Sequence, residues 1–209
     1  MKTCLKICVL IAGCLFLLHC ASKPEAVPSA IPYYNHGVEL QEAGNLEDAI
    51  AAYTRALKID PYFVDALVNR GNIQMDMGNL YEAIEDYTRA LALEPDHIVA
   101  YLNRSSAYAQ EGDLDSAIED LTTAIVIKPD YASAYFSRGI VWMAKKYYDQ
   151  AIADFTKAAD LDLSRKTAAA EKIEICLSKK KQNLTESLNN SDCWIICRSR
   201  LVQRRGCGA

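Results

Sequence analysis

Cysteine is missing from the middle of this chain. Of eight in 209 residues, Cys4, Cys8, Cys14 and Cys20 lie near one end and Cys176, Cys193, Cys197 and Cys207 near the other. The stretch between Cys20 and Cys176 therefore folds without a disulfide and holds no cysteine metal site. Histidine is as scarce, with only His19, His36 and His97. No Ser-His-Asp group, glycine-rich phosphate loop or metal-ligand set can be assembled, so the expectation is a protein without catalysis and without a cofactor. No apolar run reaches the ~20 residues of a membrane-spanning helix. Positive charge is also short in the body: residues 30–163 carry 10 basic and 22 acidic side chains, whereas residues 164–209 carry 10 and 4. An acidic body excludes nucleic acid as the expected partner, because phosphate contacts need basic groups.

What the chain does have is a period. Pro61, Pro95 and Pro129 stand two equal steps of 34 residues apart, each closing a similar segment: AIAAYTRALKIDP, AIEDYTRALALEP, AIEDLTTAIVIKP. A fixed step of this size is one supersecondary unit copied along the chain. It divides residues 30–165 into four units, 30–63, 64–97, 98–131 and 132–165. Within a unit, position 8 is small (Gly37, Gly71, Ser105, Gly139), as are position 20 (Ala49, Ala83, Ala117, Ala151) and position 27 (Ala56, Ala90, Ala124, Ala158). Position 24 is large: Tyr53, Tyr87, Leu121, Phe155. Small residues facing a large one let two antiparallel helices approach closely. Gly44, Gly78 and Gly112 mark the turn between the helices, and the proline ends the second helix. The fourth unit departs, with Lys146 for the turn glycine and Leu163 for the proline. Arg70, Arg104 and Arg138 recur at position 7 with Asp86, Asp120 and Asp154 at position 23. Both change together in the first unit, to His36 and Ala52. The covariation predicts an Arg–Asp pair inside each of the last three units.

This pattern resembles the tetratricopeptide repeat family over residues 30–165. The resemblance implies an all-α fold, a right-handed superhelical solenoid of four helix pairs with a concave groove, and a protein–protein interaction role. A solenoid needs a solvating end. Residues 166–181, with Ala169, Ile173, Cys176 and Leu177 at helical spacing, are expected to be a capping helix. Residues 182–209 read as a flexible basic cysteine-containing tail.

The resemblance also places positions 2, 5, 9 and 12 of each first helix on the concave face. The partner-binding groove it implies is lined by Tyr34, Val38, Val68, Asn72, Met75, Leu102, Ser106, Phe136, Ile140 and Met143. Such a lining suits an apolar peptide or an amphipathic helix. The chaperone-binding branch of the family grips a carboxylate with two asparagines and several basic residues. Asn72 and Asn103 fall at the asparagine positions, but Val68, Ser133 and Ser137 stand where the basic partners belong, so the clamp is incomplete.

Residues 1–20 begin with Lys2 and Lys6, continue as an apolar run of signal-peptide length over 7–18, and end on a cysteine. This resembles a bacterial lipoprotein signal. Cys20 is favoured as the lipidated residue on the length of the apolar run. Cys14, preceded by Ile11, Ala12 and Gly13, is the alternative, and an uncleaved signal anchor is a third reading. Residues 21–29, with Pro24 and Pro28, read as a tether. The expected protein is a membrane-tethered, non-catalytic adaptor of the bacterial cell envelope, facing the periplasm or exterior, with palmitate on its first mature residue. The alternatives are a regulatory subunit of a separate envelope enzyme and a self-assembling structural repeat protein.

Overall fold

A computed structural model describes residues 29–204, with side chains placed as far as Ser187. Among the described residues there are nine α-helices and no strand. They are α1 (Ile31–Glu42), α2 (Leu46–Ile59), α3 (Val64–Asp76), α4 (Leu80–Leu93), α5 (Ile98–Glu111), α6 (Leu114–Ile127), α7 (Ala132–Ala144), α8 (Tyr148–Leu161) and α9 (Lys166–Arg204). The first eight form four antiparallel pairs, one per 34-residue unit, stacked in sequence order.

The small-against-large code is what closes each pair. Gly37, Gly71 and Gly139 are buried beneath Tyr53, Tyr87 and Phe155, and a Cβ at any of the three would sit 2.7–2.9 Å from a ring carbon. The third unit solves the same contact differently: Ser105 carries a Cβ and the opposing residue is the smaller Leu121, both buried. Ala49, Ala83, Ala117 and Ala151, with Ala56, Ala90, Ala124 and Ala158, are fully buried along the second helices.

All four turns within pairs are built alike. In the first, the Asn45 N–H donates to Leu40 O and the Gly44 N–H to Gln41 O, and the same two bonds recur at Asn79/Gly78, Asp113/Gly112 and Tyr147/Lys146. This double closure needs a left-handed residue after the helix. Gly44, Gly78 and Gly112 take φ of 78°, 81° and 96°, and Lys146 takes 66° in the place of a fourth glycine.

A second helix stops at the same place without its proline. α8 ends at Leu161, in register with the others, although Leu163 stands where the proline would be. There Asp162 is extended and caps a 3-10 turn (Leu163–Arg165), its carboxylate accepting from the Ser164 N–H at 3.0 Å and hydroxyl at 2.7 Å.

The cap expected over 166–181 is present in part and larger than expected. Ala169 and Cys176 are fully buried with Ile173 beside them, against Ala151 and Phe155. Leu177 is not on that face and is 52% exposed. Nor does the helix end at Lys181: α9 continues through 182–204, so the segment expected to be a flexible tail from residue 182 is helical as far as Arg204. The reason is in the sequence. No glycine or proline occurs between Gly139 and Gly206, and once the first turns are fixed against α8, propagation is cheap compared with nucleation.

Candidate functional site: the inner face of the repeats

Successive first helices touch, α3 against α5 and α5 against α7, which puts them on the inside of the curve. The side chains expected to line this face differ in how far they remain available. Val68 is buried and Tyr34, Val38, Asn72, Met75, Leu102, Phe136 and Met143 are half-buried, whereas Ser106 and Ile140 are exposed.

Several are already engaged. The Tyr34 ring lies 4.7 Å from Phe63 and 5.7 Å from Tyr53, and its hydroxyl accepts from Asn69 Nδ2 at 3.2 Å. Phe136 meets Phe155 edge-on at 5.3 Å and carries the Arg165 guanidinium 5.6 Å from its centroid. Arg165 also donates to Ser133 Oγ at 2.8 Å, closing the C-terminal end of the face. Phe63 and Arg165 occupy the same last position of their units, a pairing with position 5 that the sequence did not reveal.

Asn72 and Asn103 come together, but with each other. Asn103 Nδ2 donates to Asn72 Oδ1 at 2.7 Å, and the Tyr87 hydroxyl donates to the same oxygen at 2.8 Å. One unit earlier the Tyr53 hydroxyl donates to Gln41 Oε1 at 2.9 Å. Burial pushes both phenols above their ordinary pKa, and the neighbouring carboxylates of Glu42 (for Tyr53) and Asp76 (for Tyr87) push the same way. Where the third unit has Leu121 there is no hydroxyl to continue this series, and a cleft of about 260 Å³ opens among Ser106, Ala109, Leu121, Ser137, Ile140 and Val141.

Away from the inner face, the Arg–Asp expectation holds in all three units. Arg70, Arg104 and Arg138 each make a two-pronged contact, Nε to Oδ2 and Nη2 to Oδ1, with Asp86, Asp120 and Asp154 at 2.7–2.9 Å. The remaining Nη1 of each arginine donates to a threonine of the preceding unit: Thr54 at 2.9 Å, Thr88 at 2.9 Å, Thr122 at 3.1 Å. Each arginine thus ties its own helix pair and the one before it. The Asp120 carboxylate holds the Arg104 guanidinium above its ordinary pKa against the opposing effect of burial, as Asp154 does for Arg138. The threonine was legible as an invariant letter at position 25 (Thr54, Thr88, Thr122, Thr156) but its partner was not.

Cys176 is buried and burial pushes its thiol up, as for a packing residue. Among the described residues no cluster of metal-ligating side chains occurs, and no helix is long and apolar enough to cross a membrane. Cys20 and Cys14 lie outside the described residues, as do residues 21–28 of the tether and the side chains of Cys193, Cys197 and Cys207.

The geometry defines a class, a helical-repeat solenoid whose units are welded by glycine–ring contacts and arginine ties. Family profiles described as tetratricopeptide repeat match residues 64–97 and 132–165, and one described as TPR repeat matches 37–78 and 105–146. The chain belongs to the tetratricopeptide repeat family, a fold that serves as a protein–protein interaction scaffold. The 64–97 and 132–165 matches coincide with the second and fourth units read from the period, so the fourth unit is a full repeat despite Lys146 and Leu163.

Among solved structures, the chain is similar to the MamA protein (29% identity, TM-score 0.67, covering 73% of this chain and 82% of that one). It is also similar to pilF of Pseudomonas aeruginosa (22%, TM-score 0.64, 73% and 69%) in fold. A third similar structure is the first TPR of Spaghetti (RPAP3) bound to the HSP90 peptide SRMEEVD (27%, TM-score 0.51, 55% and 93%). A comparison with curated proteins found no significant match.

Proposed function

We propose that this protein is a non-catalytic adaptor of a bacterial cell envelope, tethered to a membrane through its N-terminus and binding a protein partner along the inner face of its repeats. The observation that carries the reading is the inner face itself. Position 9 holds Val38, Asn72, Ser106 and Ile140, side chains that share a place in the repeat and differ in shape and polarity, with Ser106 and Ile140 exposed. Packing letters such as the position-20 alanines repeat without change, whereas these vary, as a surface reading a particular ligand would. Structural likeness to repeat proteins, one of them captured with a peptide, supports the same assignment.

The tether is a lipid on Cys20, with Cys14 the other candidate, and the repeats face the periplasm or exterior. Metabolic palmitate labelling with and without globomycin tests it, and a mature protein carrying no label removes the lipid. For the groove, full-length native protein is compared with Ile140→Asp in affinity capture. Ile140 is exposed, so the variant keeps its fold where a charge at Phe136, packed on Phe155, would not. Loss of the principal captured protein supports groove binding, and an unchanged set of captured proteins overturns it.

A further inference from the structure

The inner face is not uniform along its length, and its two halves differ in chemistry. In the first two units the ring hydroxyls are bonded to groove amides, Tyr53 to Gln41 and Tyr87 to Asn72. Beside these hydroxyls stand the exposed carboxylates of Glu42 and Asp76. Both occupy position 13 of their repeats. The corresponding residue of the third unit, Gln110, lines the 260 Å³ cleft, which fixes that position as part of the same inner surface. No ion pair to Glu42 or Asp76 is present among the described residues, whereas the buried aspartates of the arginine ties are all matched.

In the third and fourth units the surface changes. Leu121 replaces a tyrosine, the series of hydroxyl-to-amide bonds stops, and the cleft has an apolar floor of Leu121, Val141 and Ala109. Its rim carries the hydroxyls of Ser106 and Ser137. Ser106 Oγ donates to Leu102 O at 3.1 Å and keeps its lone pairs.

We propose that the groove takes an extended peptide in which lysine or arginine lies over Glu42 and Asp76 and one leucine- or methionine-sized side chain enters the cleft between the third and fourth units. The argument for this occupant is charge complementarity. The body carries 22 acidic against 10 basic side chains over residues 30–163, the two inner-face carboxylates are unmatched, and the serines offer hydrogen bonds to an extended backbone. The similar structure that holds SRMEEVD binds a peptide rich in carboxylates. Here the Asn103 amide donates to Asn72 Oδ1 in place of a ligand and acidic groups stand beside the groove, which disfavours a peptide of that charge.

The inference rests on the groove reading above, and its test separates the two. Full-length protein is titrated into two fluorescein-labelled peptides, each with a serine–glycine spacer and one leucine, one carrying a run of lysines and the other a run of glutamates. The lysine probe is expected to bind at least tenfold more tightly at low salt, and the preference to shrink as salt screens it. Glu42→Gln/Asp76→Asn is expected to weaken the lysine probe roughly three- to tenfold, the sum of two exposed charge contacts. Ser105→Gly/Leu121→Tyr rebuilds the Gly71–Tyr87 arrangement of the second unit, fills the cleft, and is expected to weaken the same probe roughly tenfold. Equal binding of the two probes, binding of neither, or no change in both variants overturns the proposal. If capture by native protein is lost in Ile140→Asp while the lysine probe shows no preference, only the proposed ligand chemistry falls. If capture is unchanged as well, the groove reading falls with it.

Discussion

At the scale of single residues the arginine–aspartate pairs decide more than their number suggests. Arg104 and Asp120 keep only 16% and 6% of their side-chain surface exposed. Removing one member leaves the other without its match in a place water reaches poorly. Asp120→Ala is expected to cost about 3 kcal/mol in denaturant unfolding. Asp115, whose ion pair with Lys145 leaves the carboxylate 85% exposed, is the control: Asp115→Ala costs under about 0.5 kcal/mol. Equal losses at the two positions would mean that the guanidinium finds water when its partner is gone. The covariation of positions 7 and 23 makes the pair legible in the sequence alone. The tie to Thr88 is not legible there, because a threonine on a helix surface has many roles and its partner lies 16 residues away in the next unit.

At the scale of elements the turns show where the repeat code was broken and what replaced it. Lys146 adopts φ 66° because the backbone closure at the end of α7 requires a left-handed residue there, whatever its side chain. An L-residue with a Cβ is disfavoured in that conformation by roughly 1–2 kcal/mol, part of which glycine returns through its freer unfolded chain. Lys146→Gly is therefore expected to stabilise by about 0.5–1 kcal/mol, raising Tm by roughly 1–4 °C, and a drop in Tm would show that the lysine side chain contributes more than its backbone costs. The sequence flagged this position as an exception, and the structure shows it is an exception in residue type alone. The long helix α9 is the contrary case. Its first turns were readable from Ala169, Ile173 and Cys176, but its length was not. Polar composition in QNLTESLNNSD resembles a loop, and the absence of any helix breaker, a negative signal, is what lets α9 run to Arg204.

At the scale of the molecule, stability in a solenoid is a chain of neighbour contacts, and this one is uneven. Units two to four each carry an arginine reaching back to the unit before, so Thr54, Thr88 and Thr122 mark three ties and three interfaces. Among the described residues, the first unit is held from its C-terminal side alone. His36 and Ala52 replace the arginine and aspartate there, and its outer face is an open cleft of about 280 Å³ lined by Tyr33, His36, Leu40, Asp48, Ala51, Ala52 and Arg55. The fourth unit's outer face is instead covered by α9 through Ala169 and Cys176. The local free energy of opening should follow this order. Native-state hydrogen exchange is expected to show α1 and α2 opening below the global unfolding free energy, while α3 to α6 exchange only through global unfolding. His36→Arg/Ala52→Asp, which restores the pair within the first unit, should raise protection in α1 and α2 and leave the rest unchanged. If α1 and α2 are as protected as α5 and α6 in the unaltered protein, the open face is covered in solution. In that case repeating the exchange on protein lacking residues 1–28 decides whether the chain itself supplies the cover: protection lowered in α1 and α2 alone assigns it to that segment, and unchanged protection assigns it elsewhere.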